Sequence, residues 1–259
     1  MPGGYVRWNE LESVLSRWSS RIDIKVFGII GGEPFLNPEL DLWIKNLRYQ
    51  YPSMEVMVVT NAQLFLQNLW FLDVMREVGN IHLKFSVHQP NANYLKNAVD
   101  TVLKRFKWEA ADSNNEQSEI KSYSAENNIH FQIAAHSSFL KTYQGVYGSM
   151  KPYNNNPIES FKICVQKECP LLYQGKLYKC SSLALLKQVL GDHKQLDDAD
   201  WHPYLDEKIG LDVNCSDIDL ERWVNNYAKP HSVCRMCPTE KDHPYRPHWP
   251  MVINKTKIT

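Results

Sequence analysis

The segment that decides the fold of this 259-residue chain is FGIIGGEPFLNP, residues 27–38. It begins as an apolar strand and breaks at Gly31 and Gly32, which lack the Cβ atom that keeps a ligand away from the backbone. Glu33 adds one carboxylate at the break, and the asparagine–proline pair that ends the segment is typical of a helix start. A strand that breaks in this way before a helix predicts a ligand site at the carboxyl end of a parallel strand.

Helical and extended patterns alternate around this segment. Short apolar runs predict strands at residues 24–30, 54–60, 81–87 and 129–134. Apolar residues at helical spacing predict four helices: one that Asn9 caps, one over 40–47, one that ends at Gly79 and one over 93–108. The polar residues 112–119 predict a surface loop. This alternation predicts an α/β fold with parallel strands and right-handed crossovers, and it does not distinguish an open sheet from a barrel.

The pattern changes near Met150, where the alternation ends. Residues 151–157 are rich in proline and asparagine, which is typical of a connection between domains. We therefore predict two domains, residues 1–150 and residues 151–259. In the second domain we expect helices over residues 183–190 and 217–227, the latter with Ser216 as its N-cap.

The six cysteines all lie in the second predicted domain: Cys164, Cys169, Cys180, Cys215, Cys234 and Cys237. A hairpin turn at residues 174–175 would bring Cys180 back beside Cys169. Farther along, a Cys-x2-Cys pair followed by proline lets two thiolates reach one centre. Sites built only from thiolates hold zinc or an iron–sulfur cluster, so this pattern predicts a metal site.

Two questions about this metal site stay open at the level of sequence. Every cysteine except Cys215 is a candidate ligand, and one site needs only four of these five. Thiolate spacing also does not identify the metal. We expect Cys215 to be structural, because it lies just before a helix cap and has no cysteine near it in sequence.

Composition and charge narrow the class of protein. The formal net charge is zero, which argues against a nucleic-acid-binding or membrane-surface protein. The sequence has no apolar run of about 18 residues, as a membrane span would require, and no signal-peptide pattern at its start. Thiols that serve as metal ligands are typical of a reducing compartment, so we expect a cytoplasmic protein.

The motifs of the first domain resemble those of the radical S-adenosylmethionine (SAM) enzymes. The GGEP motif of that family matches the sequence from Gly31 to Pro34. The Thr-Asn pair that commonly ends the next barrel strand is similar to Thr60 and Asn61. The serine that often ends the following strand is similar to Ser86.

The second domain resembles the auxiliary iron–sulfur domains of the SPASM or Twitch kind that some radical SAM enzymes carry. Their signature is Cys-x9–15-Gly-x4-Cys followed by a distant Cys-x2-Cys. Cys164, Gly175 and Cys180 match its first half, and Cys234 and Cys237 match its second half. The two halves of the resemblance occur here in the family's order, from about residue 5 to residue 240.

The resemblance implies a fold, cofactors and a site. The fold would be α/β, a partial (β/α) barrel of the radical-SAM type with parallel strands, followed by a small cysteine-rich domain that contains a β-hairpin. Glu33 would hold the amino group of SAM, within a cofactor site of Gly31, Gly32, Glu33, Pro34, Thr60, Asn61, Ser86 and His88. An auxiliary 4Fe-4S cluster would bind among Cys164, Cys169, Cys180, Cys234 and Cys237.

The resemblance also implies an activity and partners. Enzymes of this class cleave SAM reductively to a 5′-deoxyadenosyl radical, which takes a hydrogen atom from a substrate. The expected substrate is a peptide or a small molecule, and the sequence does not choose between them. A flavodoxin or ferredoxin would supply the electron.

The sequence departs from the family in one respect. The Cys-x3-Cys-x2-Cys motif that holds the SAM-binding cluster is absent, since the first cysteine is Cys164. Three explanations stay open: the sequence is part of a longer reading frame, a second chain supplies the missing segment, or the protein has lost radical chemistry. We favour the first two, because the strand and helix patterns are intact up to the N-terminus. The competing function is a non-catalytic scaffold that binds zinc or a cluster.

Several of these residues also have simpler explanations. Glu33 could cap the helix that follows it, and Thr60 and Asn61 are common where a strand meets a loop. His88 shares a strand face with Ser86. Like His136, it could contact a ligand or be an ordinary polar residue at a strand end.

Overall fold

The computed structural model describes residues 5–87, 93–111, 120–135, 140–205 and 209–240. These residues form two compact units, which are described separately. We call residues 5–135 the parallel-sheet unit and residues 140–240 the cysteine-rich unit. The cysteine-rich unit has already begun at residue 140, so the boundary between the units precedes the change of sequence pattern near Met150.

The parallel-sheet unit is built from helices and strands in alternation. Its helices are α1 (Trp8–Ser19), α2 (Leu40–Gln50), α3 (Trp70–Val78) and α4 (Asn93–Arg105). Its strands are β1 (Val26–Ile29), β2 (Glu55–Thr60), β3 (Ile81–Val87), β4 (Glu109–Ala111), β5 (Ile120–Ala125) and β6 (Ile129–Ala135). The α/β class predicted from the sequence is confirmed.

All six strands form one sheet in the order β1-β2-β3-β6-β5-β4. Strands β1, β2, β3 and β6 are parallel neighbours, whereas β5 pairs antiparallel with both β6 and β4. Each later parallel strand is added on the same side of the parallel strand before it. Right-handed crossovers therefore bring α2, α3 and α4 to the same face of the sheet. The edges are β1 and β4, so the described residues form an open sheet, and a complete radical-SAM barrel is not shown.

Burial distinguishes the two faces of this sheet. Val58, Leu83 and Phe131 pair across β2, β3 and β6 and are fully buried. Met57 and Lys84, which point to the opposite face, are only half-buried. Alternation of this kind marks a sheet with one covered face. The helices therefore cover one face and leave the other less protected.

A chain of phenylalanine rings fixes the segment after the glycine break onto the covered face. The ring of Phe35 lies 5.2 Å from that of Phe71 and 5.8 Å from that of Phe65, between ring centroids. Phe65 in turn contacts Phe85 at 5.1 Å. Edge-to-face contacts of this kind add to the free energy of burying the rings. Since Phe35 is two residues beyond Glu33, this packing also holds the Glu33 loop on the sheet.

Two predicted helix caps in this unit are wrong. Asn9 does not cap α1, because the helix begins one residue earlier and the N–H of Trp8 donates to Oε2 of Glu39 at 2.8 Å. Asn37 does not cap α2, which begins at Leu40. Its Oδ1 accepts a 2.9 Å hydrogen bond from the N–H of Glu39 within the preceding turn. A tertiary contact and a local turn thus replace the two expected caps.

Strands β4 and β5 were not predicted from the sequence. Helix α4 ends at Arg105 and not near residue 108, and the chain enters β4 at Glu109. The two strands flank residues 112–119, so the predicted surface loop lies outside the described residues. Both strands are short or polar, which leaves no apolar run for a pattern to detect.

The cysteine-rich unit contains short helices and a small antiparallel sheet. Its helices are α5 (Pro157–Ile163), α6 (Ser181–Ala184), α7 (Leu186–Asp192) and α8 (Asp217–Val224). Its strands are β7 (Leu171–Tyr173), β8 (Lys176–Tyr178) and β9 (Leu211–Asp212), in the order β7-β8-β9. The single helix predicted over residues 183–190 is divided between α6 and α7.

Two local predictions for this unit are confirmed. Strands β7 and β8 form the expected hairpin, with φ of 47° at Gln174 and 79° at Gly175. A two-residue turn with two positive φ angles is the type that suits the twist of a hairpin. Ser216 caps α8, because its Oγ accepts a 3.1 Å hydrogen bond from the N–H of Asp219.

The buried side chain of Gln195 holds the first part of this unit to its core. Its Oε1 accepts from the N–H of Met150 and its Nε2 donates to the carbonyl of Met150, both at 3.0 Å. Trp201 Nε1 donates to the same carbonyl at 3.0 Å. The core around them consists of Met150, Leu183, Leu186, Leu190, Trp201, Tyr204, Val233 and Met236.

Across the described parts of both units, no helix is both long and apolar enough to cross a lipid bilayer.

Candidate functional site

The Glu33 carboxylate lies where the ends of β1 and β2 meet. Its Oε1 accepts a 2.6 Å hydrogen bond from the Thr60 hydroxyl, and its Oε2 accepts one of 3.0 Å from the N–H of Asn61. A longer bond of 3.3 Å comes from the N–H of Phe35, so Glu33 also caps the short 3₁₀ turn Pro34–Leu36. The predicted ligand residue therefore joins the turn after β1 to the end of β2 at the carboxyl edge of the sheet.

Thr60 is almost fully buried and both hydrogen-bonding functions of its hydroxyl are used. The hydroxyl donates to Glu33 and accepts a 3.0 Å hydrogen bond from the N–H of Ala62. The side chain of Asn61 accepts from the N–H of Gln63 at 2.9 Å, which closes the next turn. Thr60 and Asn61 thus build the strand end as well as contacting Glu33.

The two glycines beside Glu33 leave open space. A Cβ atom placed on Gly31 or Gly32 would meet no atom within 4 Å, and neither residue has a positive φ angle. Both glycines are exposed, while Pro34 is buried. Among the described residues, neither backbone strain nor crowding requires glycine here. The absent side chains leave the backbone accessible to a ligand.

Ser86 lies near the carboxyl end of β3, at the same edge of the sheet as Glu33 and Thr60. It is half-buried and lies on the less protected face. His88 and His136, the two histidines predicted at strand ends, lie outside the described residues.

A second candidate site lies in the cysteine-rich unit, where Cys164, Cys180, Cys234 and Cys237 line one cavity of about 30 Å³. Each of these thiols interacts electrostatically with the other three. Cys169, the fifth predicted ligand, is exposed and does not line this cavity. Cys215 is half-buried and also lies outside the cavity lining.

Short elements bring these four cysteines together. Cys164 ends α5, and Cys180 lies between β8 and α6. Cys234 belongs to the 3₁₀ turn Ser232–Met236, and Cys237 follows it directly. The hairpin therefore positions one thiol and the Cys-x2-Cys turn positions two.

Hydrogen bonds between these segments fix the positions of the thiols. Ser160 Oγ donates to the carbonyl of Cys237 at 2.9 Å, which attaches α5 to the Cys-x2-Cys turn. Gln166 Oε1 accepts from the N–H and the hydroxyl of Ser181, at 3.0 and 2.9 Å. The N–H of Gln166 also donates to Sγ of Cys164 at 3.3 Å. Hydrogen bonds to ligand sulfurs are typical of cluster sites, where they tune the reduction potential.

Burial disfavours thiolates in this cavity in the absence of a metal. It raises the pKa of Cys180 to about 11, and it also raises the pKa values of Cys234 and Cys237. A metal that binds here must therefore displace protons, so metal binding would weaken as the pH falls.

The side chains around this cavity can be compared with the geometry of a single metal-ion site. No three His, Cys, Asp or Glu side chains of the described ranges lie where they could hold a metal ion. A single zinc ion needs all its thiolates at ~2.3 Å from one point. In the described ranges the four thiols therefore line one cavity without forming such a single-ion site.

Sequence reasoning did not identify three polar residues of this cavity, namely Lys179, Gln166 and Ser160. Lys179 directly precedes Cys180, and burial lowers its pKa while the thiolates of Cys234, Cys180 and Cys164 oppose that effect. Only its position next to a cysteine could have drawn attention to it. Nothing in the sequence distinguishes Gln166 and Ser160 from ordinary loop and helix residues.

Comparison with known proteins adds no family assignment. The chain matches no protein-family model, and a search of curated proteins finds no match to it.

Proposed function

We propose that this protein binds an iron–sulfur cluster through Cys164, Cys180, Cys234 and Cys237 and acts as a radical SAM enzyme or as the main part of one. The observation that carries the proposal is the convergence of these four thiols on one cavity. Four thiolates are the complete ligand set of a 4Fe-4S cluster. The same four residues match the auxiliary-domain signature in the sequence.

The ligand site at the sheet edge supports the second half of the proposal. Glu33 accepts three hydrogen bonds from the described residues, whereas a carboxylate can accept about four. In the part of the chain that the structure describes, no cation forms an ion pair with Glu33. The carboxylate therefore has acceptor capacity left for the ammonium group of SAM, and Gly31 and Gly32 leave room for it.

In this proposal the residues of the chain bind and orient, and SAM supplies the chemistry. When SAM is reductively cleaved, it supplies a 5′-deoxyadenosyl radical that takes a hydrogen atom from a peptide or small-molecule substrate. Glu33 holds the amino group, while Thr60 and Asn61 fix the orientation of the carboxylate. The reductive step needs three further thiolates from outside these 259 residues, together with a donor such as flavodoxin or ferredoxin.

Anaerobic reconstitution with iron and sulfide tests the cluster. The wild-type chain should become brown and hold about four irons and four sulfides. Cys180→Ala combined with Cys237→Ala should lose both, whereas Cys215→Ala, the matched control, should retain them. Retention in Cys169→Ala would identify the four cavity cysteines as the ligands. A wild-type chain that takes up no iron would refute the proposal.

The second candidate function is a non-catalytic zinc-binding scaffold. It is favoured by the four thiols of the cavity alone, because zinc also takes an all-thiolate ligand set and thiolate spacing does not identify the metal. A colourless protein with one zinc ion per chain and no uptake of iron would support it. The same reconstitution experiment therefore decides between the two candidates.

A further inference from the structure

The ammonium group of Lys179 lies against the cysteine cavity and is held there from two sides. Its Nζ donates to the carbonyl of Lys229 at 2.6 Å and also to the carbonyl of Tyr227. On another side it lies 4.8 Å from the centroid of the Phe161 ring. Both Lys179 and Phe161 line the cavity. A side chain held by two carbonyls and a ring face has little freedom to move its charge away.

This charge acts on the thiols that would bind the cluster. Lys179 lines the same cavity as the thiols of Cys164, Cys180, Cys234 and Cys237. Lys167 provides a comparison, because its Nζ lies 5.6 Å from the centroid of the same Phe161 ring. Unlike Lys179, Lys167 does not line the cavity. The two lysines therefore share a ring contact, and only one of them faces the thiols.

We propose that Lys179 is a positioning residue whose fixed charge raises the reduction potential of the cluster held by Cys164, Cys180, Cys234 and Cys237. This inference rests on the proposed cluster. The four thiolates give the site a net negative charge, which becomes more negative when the cluster accepts an electron. A nearby cation stabilises the more negative, reduced form more than the oxidised form.

The test compares the reduction potentials of reconstituted variants, measured by anaerobic dye-mediated titration with electron paramagnetic resonance detection. Lys179→Gln keeps a hydrogen-bond donor but removes the charge, so its potential should become more negative than that of the wild type. Lys179→Arg keeps the charge and should stay near the wild-type potential. Lys167→Gln is the matched control and should leave the potential unchanged.

Each outcome supports or overturns this inference. An unchanged potential in Lys179→Gln with full iron content overturns it. If Lys179→Gln binds no iron while Lys179→Arg binds it fully, the charge is needed to assemble the site and not to tune its potential, which overturns the inference. If neither variant binds iron, geometry and not charge is required, and the inference fails. Absence of iron in the wild type would instead refute the proposed cluster, so the two failures are distinguishable.

Discussion

The hydroxyl of Thr60 and the carboxylate of Glu33 are joined by a 2.6 Å hydrogen bond across the ends of two parallel strands. Thr60 is the last residue of β2, and Glu33 follows the glycine break after β1. The bond fixes the orientation of a charged group in a loop that is otherwise open to solvent at Gly31 and Gly32. The Thr60 side chain thus orients the carboxylate of the candidate SAM site together with the N–H groups of Phe35 and Asn61.

Thr60→Val should destabilise the parallel-sheet unit by about 2 kcal/mol, because the variant removes a hydrogen bond to a charged group and leaves the N–H of Ala62 without its acceptor. Urea denaturation followed by circular dichroism measures the change. The control is Thr101→Val on α4, whose exposed hydroxyl donates only to the carbonyl of Asn97. An equal loss in both variants would contradict the importance of the Thr60–Glu33 bond.

Gly32→Ala should separate ligand binding from stability. A Cβ atom at this position meets nothing within 4 Å, so the free energy of unfolding should change by less than ~0.5 kcal/mol. If the open space admits SAM, its affinity in isothermal titration calorimetry should fall by about tenfold, which corresponds to ~1.4 kcal/mol.

Gly79→Ala is the control for that experiment. Gly79 ends α3 with a φ of +61°, and an added Cβ would lie 3.1 Å from the carbonyl oxygen of Asn127. This variant should lose about 1 kcal/mol of stability and keep its affinity for SAM. Unchanged SAM binding by Gly32→Ala would argue against a ligand beside the glycine break.

Arg48→Ala should destabilise the parallel-sheet unit by about 3 kcal/mol. The guanidinium donates to the carbonyls of Pro52 and Met54 after α2 and to those of Gly79 and Asn80 before β3. Hydrogen bonds from a charged donor are worth more than neutral ones, and the variant leaves several partly buried carbonyls without a donor.

Thermal and urea denaturation check this prediction for Arg48. Arg48→Lys should recover only part of the loss, because an ammonium group cannot reproduce the planar fork of the guanidinium. Arg17→Ala on the exposed face of α1 is the control and should change stability by less than ~0.5 kcal/mol. Full recovery by lysine would show that charge alone is sufficient.

The stability of the parallel-sheet unit should fall as the pH is lowered below about 6.5, the ordinary pKa of histidine. Burial lowers the pKa of His82, Glu55 opposes that shift, and His130 and Lys84 add to it. Since the folded-state pKa lies below the unfolded one, the contribution is complete above the unfolded value. It is lost as the pH falls toward the folded value.

Urea denaturation at pH 7 and pH 5 measures the contribution of His82. His82→Gln should reduce the difference between the two pH values. Glu55→Gln should enlarge the difference, because it removes the nearby charge that favours protonated His82. A difference that His82→Gln leaves unchanged would assign the pH dependence to other groups.

Much of the fold could be predicted because its signals are local. Gly79 has the positive φ angle that a helix end favours, and Ser216 accepts the hydrogen bond expected of an N-cap. The turn at Gln174 and Gly175 fixed the hairpin register, which the structure has as Leu171 opposite Tyr178. Each of these features depends on residues that are adjacent in sequence.

The features that could not be predicted depend on distant residues. The N–H of Trp8 finds its acceptor in Glu39, which overrides the expected cap at Asn9. At the cysteine cavity, spacing left five candidate ligands, and only the path of the chain shows that Cys169 faces solvent. The place of Lys179 beside the thiols likewise depends on the carbonyls of residues 227 and 229.

The position of β6 has a consequence for how the protein folds. Strands β1, β2 and β3 join the sheet in the order in which the ribosome releases them, each beside the strand before it. Strands β4 and β5 follow, yet their place in the sheet depends on β6, which lies between β3 and β5 and is synthesised last. Because β6 makes the pairing of longest range, we expect its insertion to be the late step of folding. A ribosome-bound chain that ends before Ile129 would carry an incomplete sheet, with β3 as its exposed edge.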